Sequence, residues 1–126
     1  MALRTIDAPG SPSSPFYAQA VDVLGAQRVL YTSGQVPAAS DGTVPAGFED
    51  QARLAWANLL SQLSAAGMTL DHLVKVTIFL ADRAHLDAHR RIYDEVLGGR
   101  RIAVSTVFAG LVNEDWLVEI EGVAAV

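Results

Sequence analysis

Apolar and polar positions change period along this chain, and each change marks an element. Arg4 to Asp7 alternates briefly and predicts a short edge strand, ended by Pro9, Gly10 and Pro12. After a Ser-Pro loop at Ser11 to Pro15, Tyr17 to Leu24 alternates again. Gly25-Ala26-Gln27 makes a turn, and the β-forming run Arg28 to Ser33 predicts the partner strand of a hairpin. Gly34 to Gly47, with two Pro, three Gly and an Asp-Gly step, reads as a surface loop. From Phe48 the period lengthens: Ala52, Ala55, Leu59, Leu63 and Ala66 recur at helical spacing, with Glu49 and Asp50 at the positive end and Gly67 as a left-handed cap. Leu73 to Leu80 (LVKVTIFL) predicts a central strand. Asp82 caps a second helix, which runs to about Leu97 with Leu86, Tyr93, Val96 and Leu97 inward and stops at Gly98-Gly99.

The C-terminal stretch, Ile102 to Val126, predicts two further strands joined by a polar reversal at Asn113-Glu114-Asp115. In the second of them the strand period of two places Glu119 and Glu121 on one face and Val118 and Ile120 on the other. A carboxylate inside so apolar a strand needs water, a partner or a ligand, because burying it unpaired is costly. The element order, β-β-β-α-β-α-β-β, predicts an α+β fold: a mixed six-stranded sheet with two helices on one face. No element remains to cover the other face, so association of subunits is expected.

A length of 126 residues fits a single domain, 1–126, able to bury a core. The chain is 51% hydrophobic with a mean hydropathy of +0.27, yet no apolar run approaches the roughly 18 residues that cross a bilayer. The first residues lack the apolar segment of a secretion signal. There is no cysteine, which excludes disulfides and thiolate chemistry and suits a reducing cytoplasm. The net charge is −5 and the nine Lys and Arg are scattered, so a phosphate backbone would be repelled; neither nucleic acid nor membrane is an expected partner.

Neither a Gly-rich phosphate loop, a G-x-S-x-G elbow nor an H-E-x-x-H pair is present. His85 and His89 are four apart on the second helix, but no third ligand accompanies them; they read as solvated, and no metal is expected. Thr32-Ser33-Gly34-Gln35 leaves a strand for a loop, where backbone N–H groups and a hydroxyl can converge on a ligand, or simply make a turn. Arg100-Arg101 could hold a carboxylate or be solvated; Tyr17 could wall a pocket or belong to the core.

Several of these segments together resemble the RidA/YjgF (reactive-intermediate deaminase) family: Tyr17-Ala18-Gln19-Ala20, YTSGQVP at Tyr31 to Pro37, LVKVTIFLAD at Leu73 to Asp82, Tyr93, and VEIEGVA at Val118 to Ala124. The resemblance implies a chorismate-mutase-like fold and a homotrimer with a barrel-like core and clefts between subunits. It implies cofactor-free hydrolysis of enamine or imine acids, with an arginine on the fifth strand pairing the substrate carboxylate and a glutamate on the sixth positioning water. Carried over by position, Glu119 falls on that glutamate, Ser33 and Gly34 on the strand-end cleft residues, Tyr17 on the cleft tyrosine, and Thr106 where many members have cysteine. Val104 falls on the arginine, and Arg90 on a helix asparagine. An isopropyl group cannot pair a carboxylate, so ordinary 2-imino-acid deamination is expected to be weak or absent, with Arg101 or Arg90 as the alternative cation. The expectation is a cleft enzyme acting on an imine, enamine or related metabolite by hydrolysis, deamination or tautomerisation. The alternatives are a non-catalytic small-molecule binder and a protein-interaction or chaperone-like trimer.

Overall fold

A computed structural model describes all residues, Met1 to Val126. Its elements are β1 (Ala2–Ile6), β2 (Ala20–Leu24), β3 (Val29–Tyr31), α1 (Phe48–Ala65), β4 (Leu73–Leu80), α2 (Leu86–Leu97), β5 (Ala103–Phe108) and β6 (Val118–Ala125), with short 3₁₀ turns leading into β4 and α2. The six strands form two ladders rather than one continuous sheet: β1-β2, and β3-β6-β4-β5. A single parallel bridge, Ala18 to Ala103, carries the ribbon onto the β5 edge, so the strands still follow one another as β1-β2-β5-β4-β6-β3.

Two expected pairings are corrected. The run after Gly25 does not fold back on β2; β2 pairs with β1, and the short β3 crosses to the far edge to pair antiparallel with β6. Nor do β5 and β6 form a hairpin. The chain reverses through Asn113 to Asp115, but β4 lies between the two strands, parallel to β5 and antiparallel to β6. Strand periodicity fixes which face a residue takes and says nothing of which neighbour it pairs with.

Both helices pack on one face. There Val76, Ile78 and Leu80 of β4 and Val118, Ile120 and Ala124 of β6 meet Ala52, Ala55, Trp56, Leu59 and Leu63 of α1 and Ile92, Tyr93 and Leu97 of α2. The small Ala52 and Ala55 let α1 lie close to the sheet, and Gly122 leaves room for Leu59 and Leu73, each 3.3 Å from where a Cβ would stand. Each large side chain buried here contributes about 1.5–3 kcal/mol by leaving water. The ends are where the sequence puts them: Gly67 (φ 73°) and Gly98 (φ 59°) close the helices in the left-handed conformation, and the Asp82 carboxylate accepts from the Ala84 N–H at 2.8 Å.

Two buried or half-buried amides of α1 fasten the loops that flank the site. The Gln51 side chain donates to the Pro45 and Asp115 carbonyls and accepts from the Leu117 N–H. Asn58 Nδ2 donates to the carbonyls of Val36 and Ala38.

Candidate functional site

The opposite face of the four-stranded ladder carries Lys75, Thr77 and Phe79 of β4 beside Val123, Glu121 and Glu119 of β6. No helix covers it; Val29, Tyr31 and Val107 stand exposed there, Tyr31 at 75%. Glu119 is half-buried on this face, and its carboxylate has no hydrogen-bond or ion-pair partner within the chain. What fronts it is Gly34: a Cβ at that position would overlap the carboxylate, lying 2.7 Å from its carbon.

Register explains how Gly34 arrives there. Tyr31 pairs with Val123, and Gln35 bridges Ile120 through bonds of 2.7 and 3.0 Å in the two directions. The outer chain thus takes four steps where β6 takes three, a one-residue bulge at Thr32 to Gly34. The Thr32 hydroxyl supports it by accepting from the Gly122 N–H at 3.0 Å. Ser33 projects outward from the bulge, exposed.

Val104 and Thr106 lie on the other side of the sheet. They pair with Val76 and Ile78, whose side chains face the helices. Between this part of β5, one stripe of α2 and the loop before β2 is a cavity of about 700 Å³. Leu86, His89, Arg90, Tyr93 and Asp94 line it from α2, at the spacing of a single helix face. Phe16, Tyr17, Ser14 and Gln19 line it from the loop. Tyr17, Val104 and Thr106 are therefore brought together, as are Glu119, Ser33 and Gly34, but the two groups occupy opposite faces of one sheet.

Arg101 belongs to neither wall as a free cation. It precedes β5, and its guanidinium donates to the carbonyls of Ser14 and Tyr17, each at 3.0 Å, and to Asp7 at 2.6 Å. That hydrogen bond, with one from the Gln19 N–H, holds the Asp7 carboxyl below the usual carboxylate range. Arg101 thus shapes the loop carrying Tyr17. Arg90 does face the cavity; its side chain is 69% exposed, and its one ion-pair partner, Asp87, is 4.0 Å away.

The histidines are not solvated as their spacing suggested. His89 is buried and its Nε2 accepts from Trp56 Nε1–H at 3.2 Å. Burial pulls its pKa down to about 4, so the ring is neutral near pH 7. Because the indole can only donate, the remaining proton sits on Nδ1, which has no partner in the chain. His85 stacks on Phe48 with centroids 4.3 Å apart. Burial, with Asp94 adding to it, pushes the Tyr93 hydroxyl up to about 12, and its oxygen lies 3.5 Å from the Phe16 carbonyl. The signal for His89 was present in the 86, 89, 93 spacing, which places it on the stripe of Leu86 and Tyr93.

The family model described as Endoribonuclease L-PSP matches residues 6–126. Protein mmf1, mitochondrial, from Schizosaccharomyces pombe is 36% identical, over 98% of this chain and 77% of its own. The mouse 2-iminobutanoate/2-iminopropanoate deaminase is 34% identical, over 86% and 79%. Among solved structures, the protein YyfB of the conserved Rid family from Yersinia pestis superposes with a TM-score of 0.89 at 28% identity, covering all of both chains. No helix here is long and apolar enough to cross a membrane. The motifs read from the sequence, the fold and these likenesses agree: the chain belongs to the L-PSP family, that of the RidA/YjgF reactive-intermediate deaminases.

Proposed function

We propose that the protein is a cofactor-free enzyme hydrolysing an imine or enamine, in clefts that two copies of the chain build together. The observation that carries this is the Glu119 carboxylate: unpaired, half-buried, on an otherwise largely apolar strand, with a glycine cut away in front of it. An acid so placed is a general base in search of a water. Starting from an iminium, the water gives a proton to Glu119 as its oxygen bonds the carbon. The carbinolamine nitrogen takes that proton back, the C–N bond breaks, and the hydroxyl proton leaves with the ammonia as ammonium, giving a ketone.

The cavity of Tyr17, Val104 and Thr106 faces away from Glu119 in one chain, so a single copy cannot present both to one molecule. A ring of three, with the open sheet faces inward, would set the cavity of one protomer beside the Glu119 of the next. The apolar residues exposed on that face support this assembly. Ordinary 2-iminopropanoate hydrolysis should be weak, because Val104 offers no donor to the carboxylate. The apolar wall at Val104 also favours a second reading, a small-molecule binder without turnover. We keep the cytoplasm as the proposed location, on the cysteine-free composition; the name of mmf1 places that relative in the mitochondrion.

The test is Glu119→Gln in an assay in which an amino-acid oxidase supplies fresh imines. Turnover should fall about 100-fold or more with the oligomer intact in sedimentation. Unchanged turnover removes the assigned role; no acceleration by the wild-type protein on any imine leaves the binder.

A further inference from the structure

We infer that the cleft selects a monocarboxylate bearing a bulky apolar substituent, its carboxylate held by Arg90 and its substituent laid across Val104. This rests on the cleft being the ligand-binding site of the proposed function, but its evidence is independent of Glu119.

Size comes first. In one chain the groove measures about 700 Å³ and stands open on one side, room for more than a three- or four-carbon imino acid before a neighbouring copy closes it. Its floor is hydrocarbon: Ile78, Val104 and Leu86, with the Phe16 ring at the side. A small polar substrate would leave that surface wetted and unused, whereas an aryl or branched alkyl group covers it and gains about 25 cal/mol for each Å² removed from water.

Charge comes second. Arg90 is the one cation among the lining residues, because His89 is neutral. Its distant partner, Asp87, leaves the guanidinium free to take a carboxylate in the bidentate manner that the isopropyl group of Val104 cannot. Arg101 is not among the lining residues, and its Nε and Nη2 are held by Ser14, Tyr17 and Asp7. Asp94, one turn beyond Arg90, faces the same cavity and would repel a second anionic group, hence a monocarboxylate. His89 from α2, with its unpartnered Nδ1–H, and the Thr106 hydroxyl from β5 add neutral hydrogen-bonding groups to the lining, suited to a carbonyl or imine. A ligand crossing from Arg90 on the exposed side of α2 to Val104 on β5 would lie in the reverse sense to one anchored on the fifth strand.

The experiment is calorimetric titration of the intact protein with three 2-oxo acids that mimic hydrolysis products: pyruvate, phenylpyruvate and 2-oxoglutarate. Phenylpyruvate should bind about tenfold or more tighter than either of the others. Arg90→Ala should weaken it about tenfold, Arg90→Lys should restore part of the loss, and Val104→Arg should shift preference toward pyruvate. Equal affinity for pyruvate and phenylpyruvate, no binding of either, or indifference to Arg90→Ala in a protein folded by circular dichroism would each overturn the inference. Glu119→Gln in the same titration separates the two ideas. Arg90-dependent binding of phenylpyruvate, with no imine turned over by the wild type, keeps this selectivity and removes the enzyme.

Discussion

At the scale of single residues, the chemistry depends on what stands next to Glu119, and that is an absence of side chain. Gly34 does not need a left-handed conformation; it needs room, since its missing Cβ is what admits the carboxylate. Because the obstructed atoms are the far end of a flexible side chain, Gly34→Ala should swing the carboxylate aside rather than disturb the fold. Turnover is expected to drop about 10- to 100-fold while the urea midpoint barely moves, read by steady-state kinetics and equilibrium denaturation. The placement of Glu119 and Glu121 on one face was legible from alternation alone. The reason for Gly34 was not, because it lies in a bulge whose extra residue only the register reveals.

Among the elements, the loop before β2 owes its shape to a residue from the opposite end of the chain. Arg101 ties Asp7, Ser14 and Tyr17 together, and its side chain is only 29% exposed. Arg101→Ala should therefore destabilise the protein by about 2 kcal/mol. Amide exchange should quicken across residues 7–19 before it does in β4 or β6, as hydrogen-exchange mass spectrometry would show. In the sequence, Arg101 could be read equally as a ligand for substrate or as solvated. Its role as a clasp depends on a contact more than eighty residues away, which no local pattern carries. Likewise, β4 was readable to its ends because the apolar character of its run and the breaks that bound it are local properties. The partners of β3 and β5 were not, since pairing is settled by the whole sheet.

For the molecule as a whole, burial of His89 links its stability to pH. The ring titrates near 6.5 when unfolded and near 4 when folded, so between those values the unfolded chain binds the extra proton. The stability that the neutral ring allows is present above pH 6.5 and declines as pH falls toward 4, by about 3 kcal/mol in full. Denaturation midpoints from pH 7 to 4 should show this slope, and His89→Gln should flatten it. Fold class, both helices and the family were within reach of periodicity and motif. The uncovered face was foreseen too, because an α+β layer pair with two helices leaves one side of its sheet bare.

That the two sets of groups sit back to back on one sheet has a consequence for mixtures. In the proposed ring, a chain crippled at Glu119 still offers an intact cavity, and a chain crippled at Arg90 still offers an intact carboxylate. Each homogeneous preparation would be impaired, yet unfolding the two together and letting them reassemble should yield hybrids in which one crevice regains both halves. A mixture more active than either variant by itself would be the signature of a reaction divided between neighbours, and its failure would mean that each chain works alone.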